Sequence, residues 1–185
     1  MSDRKREILQ EAIEMIADEG YGNLSMRALA RANGMKLGAL QYHFRTREEM
    51  LRALVEQIAE VYQQAFDSMG REGESPSIRE MAEFVLDDSV GDILLSDRLF
   101  PQLWAMQQVE PLVSDLLEDV YAGYMTVLEE ALEKKGADSP RAEALCLMSM
   151  MEGESLFTGR GRRWESDRGA VYETILKYID ERYGE

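Results

Sequence analysis

Five cations stand together in a stretch of this chain that carries no acid. Between Glu19 and Glu48 there is no Asp or Glu, while Arg27, Arg31, Lys36, Arg45 and Arg47 all fall there. Their surroundings give the run its meaning. The chain of 185 residues has a formal charge of −15. Residues 1–50 hold eight Lys/Arg and eight Asp/Glu, so the whole negative balance comes from the remainder. A local patch of +5 on an acidic body suits one chemistry above others, the neutralisation of nucleic-acid phosphates with release of their counterions. An ordinary solvated charge face is the competing reading, and the choice turns on how the patch is carried. Other chemistries find little support. His43 is the sole histidine and Cys146 the sole cysteine, far apart in sequence. Neither a metal site nor an internal disulfide is therefore expected. No nucleophile–base pair or glycine-rich phosphate loop is visible, so no catalytic residue is assigned and no cofactor is expected.

The elements that must position the cations follow from periodicity and punctuation. Leu9, Ala12, Ile13, Ile16 and Ala17 form one apolar stripe at helical spacing, closed by Gly20. Ser25 is placed to cap a second helix whose inward residues are Met26, Leu29 and Ala30. Asn33-Gly34 breaks that helix after two turns, since both residues tolerate positive φ. A third short helix spans Lys36 to His43, with Leu40 and the following Phe44 turned inward. Thr46-Arg47-Glu48-Glu49 then reads as a capping box that opens a long fourth helix through Met50, Leu51, Leu54, Ile58 and Phe66. Two short helices joined by a glycine elbow, braced by a longer one, make a helix-turn-helix unit. One α-helix fits the DNA major groove, and such an elbow holds it clear of the body.

The remainder also reads as helix. Few prolines interrupt long runs of helix-forming residues, so the fold class is all-α with about nine helices. Ser75-Pro76 is expected to start a fifth helix running to Leu86–Ser89. A sixth covers Ile93–Gln107, kinked or restarted at Pro101, and a seventh Pro111–Lys135. An eighth starts at Pro140, and a ninth spans Ala170–Tyr183 after a surface loop bearing Arg160-Gly161-Arg162-Arg163. Cys146, on the eighth helix, is expected to be a buried small hydrophobe. No apolar run is long enough for a membrane span and no signal-peptide core follows the first residues, so a cytoplasmic location away from membranes is expected.

Residues 21–54, with Gly20 just before them, resemble the DNA-binding region of the TetR family of transcriptional regulators. The match lies in Gly20-Tyr21, Ser25-Met26-Arg27, Leu29-Ala30, Asn33-Gly34-Met35, Gly38-Ala39-Leu40, His43-Phe44 and Arg45 through Leu51. The resemblance implies a DNA-binding domain at 1–47 and a ligand-binding and dimerisation domain at 48–185. It implies a homodimer through helices 8 and 9, a small-molecule effector among helices 4 to 8, and double-stranded operator DNA with inverted half-sites. The function it implies is a repressor released by its ligand. A helical small-molecule carrier without operator binding, or an enzyme on a helical bundle, is the alternative.

The DNA contacts assigned on this basis are Ser25, Arg27, Lys36, Leu37, Ala39, Gln41, Tyr42, His43, Arg45, Thr46 and Arg47. Those at helix starts would hold phosphate, and those on the third helix would meet the groove. Two positions depart from the family's habit. Lys36 stands where Ser or Thr often caps the third helix, and Gln41 where Tyr often touches phosphate. Tyr62, Phe66, Phe84, Trp104, Gln107, Tyr121, Tyr124 and Phe157 are the pocket candidates, with plain core packing as their competing reading.

Overall fold

The computed structural model describes residues 2–68, 75–86 and 98–184, without the side chains of Tyr62, Ala65 and Phe66. Nine α-helices and no strand occur among the described residues. The expected end of the fifth helix at 87–89 and start of the sixth at 93–97 lie outside them, as do the side chains of the candidates Tyr62 and Phe66. The chain divides into two compact units, Met1–Gln64 with Val90–Glu118 and Ala65–Ser89 with Asp119–Glu185.

In the first unit, helix α1 (Asp3–Glu19) starts where the Ser2 hydroxyl accepts the Lys5 N–H, and it buries Ile8, Leu9, Ala12, Ile13 and Ile16. Gly20 ends it with φ 82° and ψ 153°, a positive-φ but extended conformation rather than a left-handed helical one. Helix α2 (Met26–Ala32) is capped by Ser25, whose Oγ accepts the Ala28 N–H at 3.2 Å. Its far end is a Schellman turn. Gly34 N–H donates to Arg31 O and Met35 N–H to Ala30 O, with Gly34 at φ 64°. Asn33, at φ −78°, stays in the ordinary region, so the elbow needs only the glycine. Helix α3 (Leu37–His43) follows, and α4 (Arg47–Asp67) begins at the expected capping box. Thr46 Oγ1 accepts the Glu49 N–H at 3.1 Å, and the Glu49 carboxylate reaches back to the Arg45 N–H at 3.0 Å. Helix α6 (Phe100–Met106) and the first turns of α7 (Pro111–Lys134) complete this unit. Pro101 sits in the first turn of α6, where its missing N–H costs nothing, so it starts the helix rather than kinking it.

The second unit packs α5 (Ile78–Leu86), the rest of α7, α8 (Pro140–Thr158) and α9 (Arg168–Tyr183) around Met81, Leu128, Leu132, Leu147, Met151, Leu176 and Ile179. The fifth helix begins at Ile78, after Ser77 and not Ser75. Ser77 Oγ accepts the Glu80 N–H while the Glu80 carboxylate accepts the Ser77 N–H, a reciprocal box that the Ser75-Pro76 pair cannot form. Arg79 Nη1 spans both carboxylate oxygens of Asp180 at 2.7 and 2.6 Å and ties α5 to α9. Glu143 on α8 accepts from Arg182 and Tyr183 on α9. These donors, the Tyr183 hydroxyl foremost, hold its carboxyl below the usual carboxylate range.

Cys146 is exposed, contrary to the expectation of burial. The stripe of α8 turned to the core is Ala144, Leu147, Met148 and Met151. At 100° per residue Cys146 falls on another face, with the exposed Leu145 and the half-buried Met150.

Candidate nucleic-acid interface

Helix α3 is held by one side only. Leu40 and the adjoining Phe44 are fully buried, while Lys36, Gly38, Ala39, Gln41 and Tyr42 are exposed. Tyr42 is 88% exposed, an unusual position for a large aromatic ring with no task in solution. Its ring meets His43 edge to face at 5.6 Å, and His43 is half-buried. Lys36 is the N-cap residue of α3 and makes no side-chain cap, as its chemistry requires. Its ammonium is therefore uncommitted to the helix and exposed beside Ala39 and Tyr42.

Around this helix stand the residues expected to hold phosphate. Ser25 and Thr46 cap α2 and α4, and both are exposed, so capping and anion contact can coexist there. Arg27 and Arg45 are exposed, and among the described residues neither has an ion-pair partner. Leu37 is half-buried at the start of α3. Arg47 differs from its neighbours. Its Nη2 donates to Glu110 Oε1 at 2.7 Å and also to the Tyr21 hydroxyl, which in turn donates to the same Glu110 oxygen. The guanidinium lies over the Tyr21 ring, 5.4 Å from its centroid. Sequence reasoning did not find Glu110, because 63 residues separate it from Arg47.

The pocket candidates divide. Phe84 and Tyr121 each present their rings edge to face to Tyr124, at 6.1 and 6.4 Å, within the second unit. Burial, with the nearby Glu152 charge, pushes the Tyr124 phenol well above its ordinary value. Trp104 belongs to the first unit, where it pairs with Phe100 at 6.0 Å, and Gln107 follows α6 in the same unit. Phe157 stands apart from both groups, 59% exposed on α8 and 6.2 Å from Trp164. No group of His, Cys, Asp and Glu able to hold a metal ion occurs among the described residues. No helix among them is long and apolar enough to cross a membrane.

Residues 8–54 match the profile of the bacterial regulatory proteins of the tetR family. No curated protein matches the sequence. Solved structures similar to the chain span nearly its full length. One is a protein from Saccharomonospora viridis described as a transcriptional regulator, in complex with choline. It is 18% identical, with 98% of each chain covered and a TM-score of 0.80. A TetR transcription regulator from Haloarcula marismortui is 16% identical, with 100% of this chain and 98% of the other covered and a TM-score of 0.73. AibR, in complex with isovaleryl coenzyme A and operator DNA, is 20% identical over 95% of this chain and 97% of its own, with a TM-score of 0.72. Residues 8–54 are thus similar to the bacterial regulatory proteins of the tetR family, and the chain shares the all-α fold of these solved structures over nearly its full length.

Proposed function

We propose, on the premise that residues 8–54 form a DNA-binding domain of the tetR family, that the chain works as a homodimeric repressor released from a palindromic operator by a small molecule. In this reading residues 1–47 contact DNA and residues 48–185 bind ligand and dimerise. The observation that carries it is α3 itself. A short helix anchored by Leu40 and Phe44 offers Lys36, Ala39, Gln41 and Tyr42 to solvent, in the one acid-free stretch of the DNA-binding region. Gln41 can make paired hydrogen bonds to adenine, and Ala39 can meet a thymine methyl. Ser25, Arg27, Arg45 and Thr46 would fix the register on phosphates. The acidic remainder repels the duplex everywhere else and so favours one docking orientation.

Dimerisation through α8 and α9 is supported by what those helices leave uncovered. Leu145, Leu156, Phe157, Trp164 and Tyr178 are exposed on this part of the chain. An open, mostly apolar groove of about 550 Å³ runs between α8 and α9, lined by Met150, Gly153, Phe157, Val171 and Thr174. A helix that is apolar on its core face and again on its outer face is one that a partner covers. Arg160, Arg162 and Arg163 are exposed in the turn joining these helices, at the margin of that surface.

For the effector, the Phe84–Tyr124–Tyr121 cluster is the candidate wall. Aromatic faces with the Glu152 carboxylate near at hand suit an organic cation better than an anion. The choline found on the Saccharomonospora viridis protein is in keeping with that preference.

The test is selection of bound duplexes from a random-sequence pool by the purified full-length chain. An inverted repeat with half-sites about one helical turn, or a multiple of it, apart is expected. Recovery of no motif, or of an asymmetric one bound by a single chain, would overturn the proposal.

A further inference from the structure

We infer that Glu110 governs how much charge the DNA-binding domain can offer a duplex, by holding Arg47 in an internal ion pair that a phosphate must displace. The inference rests on the DNA-binding reading above and adds a residue to it that the motif does not contain.

The geometry is that of a phosphate substitute. Arg47 lies at the first residue of α4, beside the Thr46 cap, where a guanidinium would reach the backbone of a duplex docked on α3. Instead it is engaged at 2.7 Å by a carboxylate from the link between α6 and α7. Glu110 is well placed for the role. Its backbone carbonyl accepts the Val113 and Ser114 N–H groups at the start of α7, so the main chain there is fixed. Its side chain is only 18% exposed, against 43% for Arg47. The carboxylate is the less exposed partner, carried on the better fixed stretch of main chain. The Tyr21 hydroxyl bridges both partners and closes a three-membered cluster. In this state the pair has no net charge, and Arg47 contributes no released counterion when DNA binds. Arg45, two residues earlier, has no such partner among the described residues.

The same segment touches the DNA-binding helices at further points. Arg98, just before α6, pairs with Asp18 of α1, and a side chain built on Gly20 would meet the Gln102 carboxamide of α6 at 3.5 Å. Residues 98–110 are thus fitted against α1, the α1–α2 link and the start of α4.

The test uses the full-length chain and a duplex recovered by the selection described above. Binding is measured across a salt series for wild type, Glu110→Gln, Arg47→Gln, the double variant, Arg45→Gln and Asp115→Asn. Glu110→Gln is expected to tighten binding several-fold and to steepen the log–log salt dependence by up to about 0.9 per protomer. The gain should vanish when Arg47 is already glutamine, and Asp115→Asn, which removes an acid one turn on, should not reproduce it. Tyr21→Phe, expected to act in the same direction more weakly, serves if Glu110→Gln fails to fold. An unchanged slope, weaker binding, or an effect that survives in the double variant would overturn the inference. Failure of the selection to recover any duplex sinks the DNA-binding reading itself, whereas an unchanged Glu110→Gln on a duplex that Arg45→Gln binds with a flatter salt dependence sinks only this inference, which separates the two outcomes.

Discussion

Replacing Arg45 by glutamine tests the placement of phosphate contacts with a number attached. The Arg45 guanidinium is exposed next to the α4 cap and has no ion-pair partner among the described residues. Its loss therefore leaves the packing of the domain untouched, since Phe44 and Met50 on either side remain buried. Each phosphate contact to duplex DNA contributes about 0.9 to the slope of log affinity against log salt. One contact per protomer, lost from a dimer, should flatten the line by about 1.8. Between 50 and 200 mM salt, wild type should then lose about twelvefold more affinity than Arg45→Gln. Fluorescence anisotropy of a labelled operator duplex at four or five salt concentrations reads this directly. Parallel lines for the two proteins would refute the reasoning, because a weaker but equally salt-sensitive variant has lost something other than a phosphate contact.

Three other outcomes follow from named contacts. Thr46→Ala removes the hydroxyl that accepts the Glu49 N–H, and should destabilise the protein by about 1 kcal/mol in urea denaturation; an unshifted midpoint would mean that the Glu49–Arg45 bond suffices. Phe157→Glu places a charge on the exposed apolar face of α8 without disturbing the core, so sedimentation should show monomer with an unaltered helical spectrum; a persistent dimer would move the interface elsewhere. The Glu143 carboxyl is held below its ordinary value in the folded state, chiefly by Tyr183 and then by Arg182. It therefore adds stability at neutral pH that is lost as pH falls through the usual carboxylate range towards the depressed value. Glu143→Gln should be less stable at neutral pH and show a flatter decline on acidification; curves of identical shape would rule out this linkage.

How much of this was legible in the sequence depended on distance along the chain. The elbow at Gly34, the caps at Ser25 and Thr46, and the exposed side of α3 follow from local signals, and each is found where the residues place it. At Ser77 two local signals competed. A Ser-Pro pair marked Ser75 as the cap, but the Glu80 carboxylate closes on Ser77, and two hydrogen bonds outweigh one compatible proline. Cys146 was misjudged for another reason. Its type favours burial, yet α8 has two apolar faces and only one of them meets this chain's core. Glu110 could not be read at all, since nothing local marks one acid among many as the partner of Arg47. The aromatic candidates were equally undivided in sequence. Only the fold sorts Trp104 to one unit, the Phe84–Tyr124–Tyr121 cluster to the other, and Phe157 to an outer face.

Helix α3 is the element that enters the groove in the proposed complex, and a photoreactive side chain at the exposed Tyr42 position addresses that directly. With p-benzoylphenylalanine in place of Tyr42, irradiation of the operator complex should crosslink to bases at two positions related by the operator's dyad. Crosslinks confined to protein, or scattered along the duplex without symmetry, would contradict it.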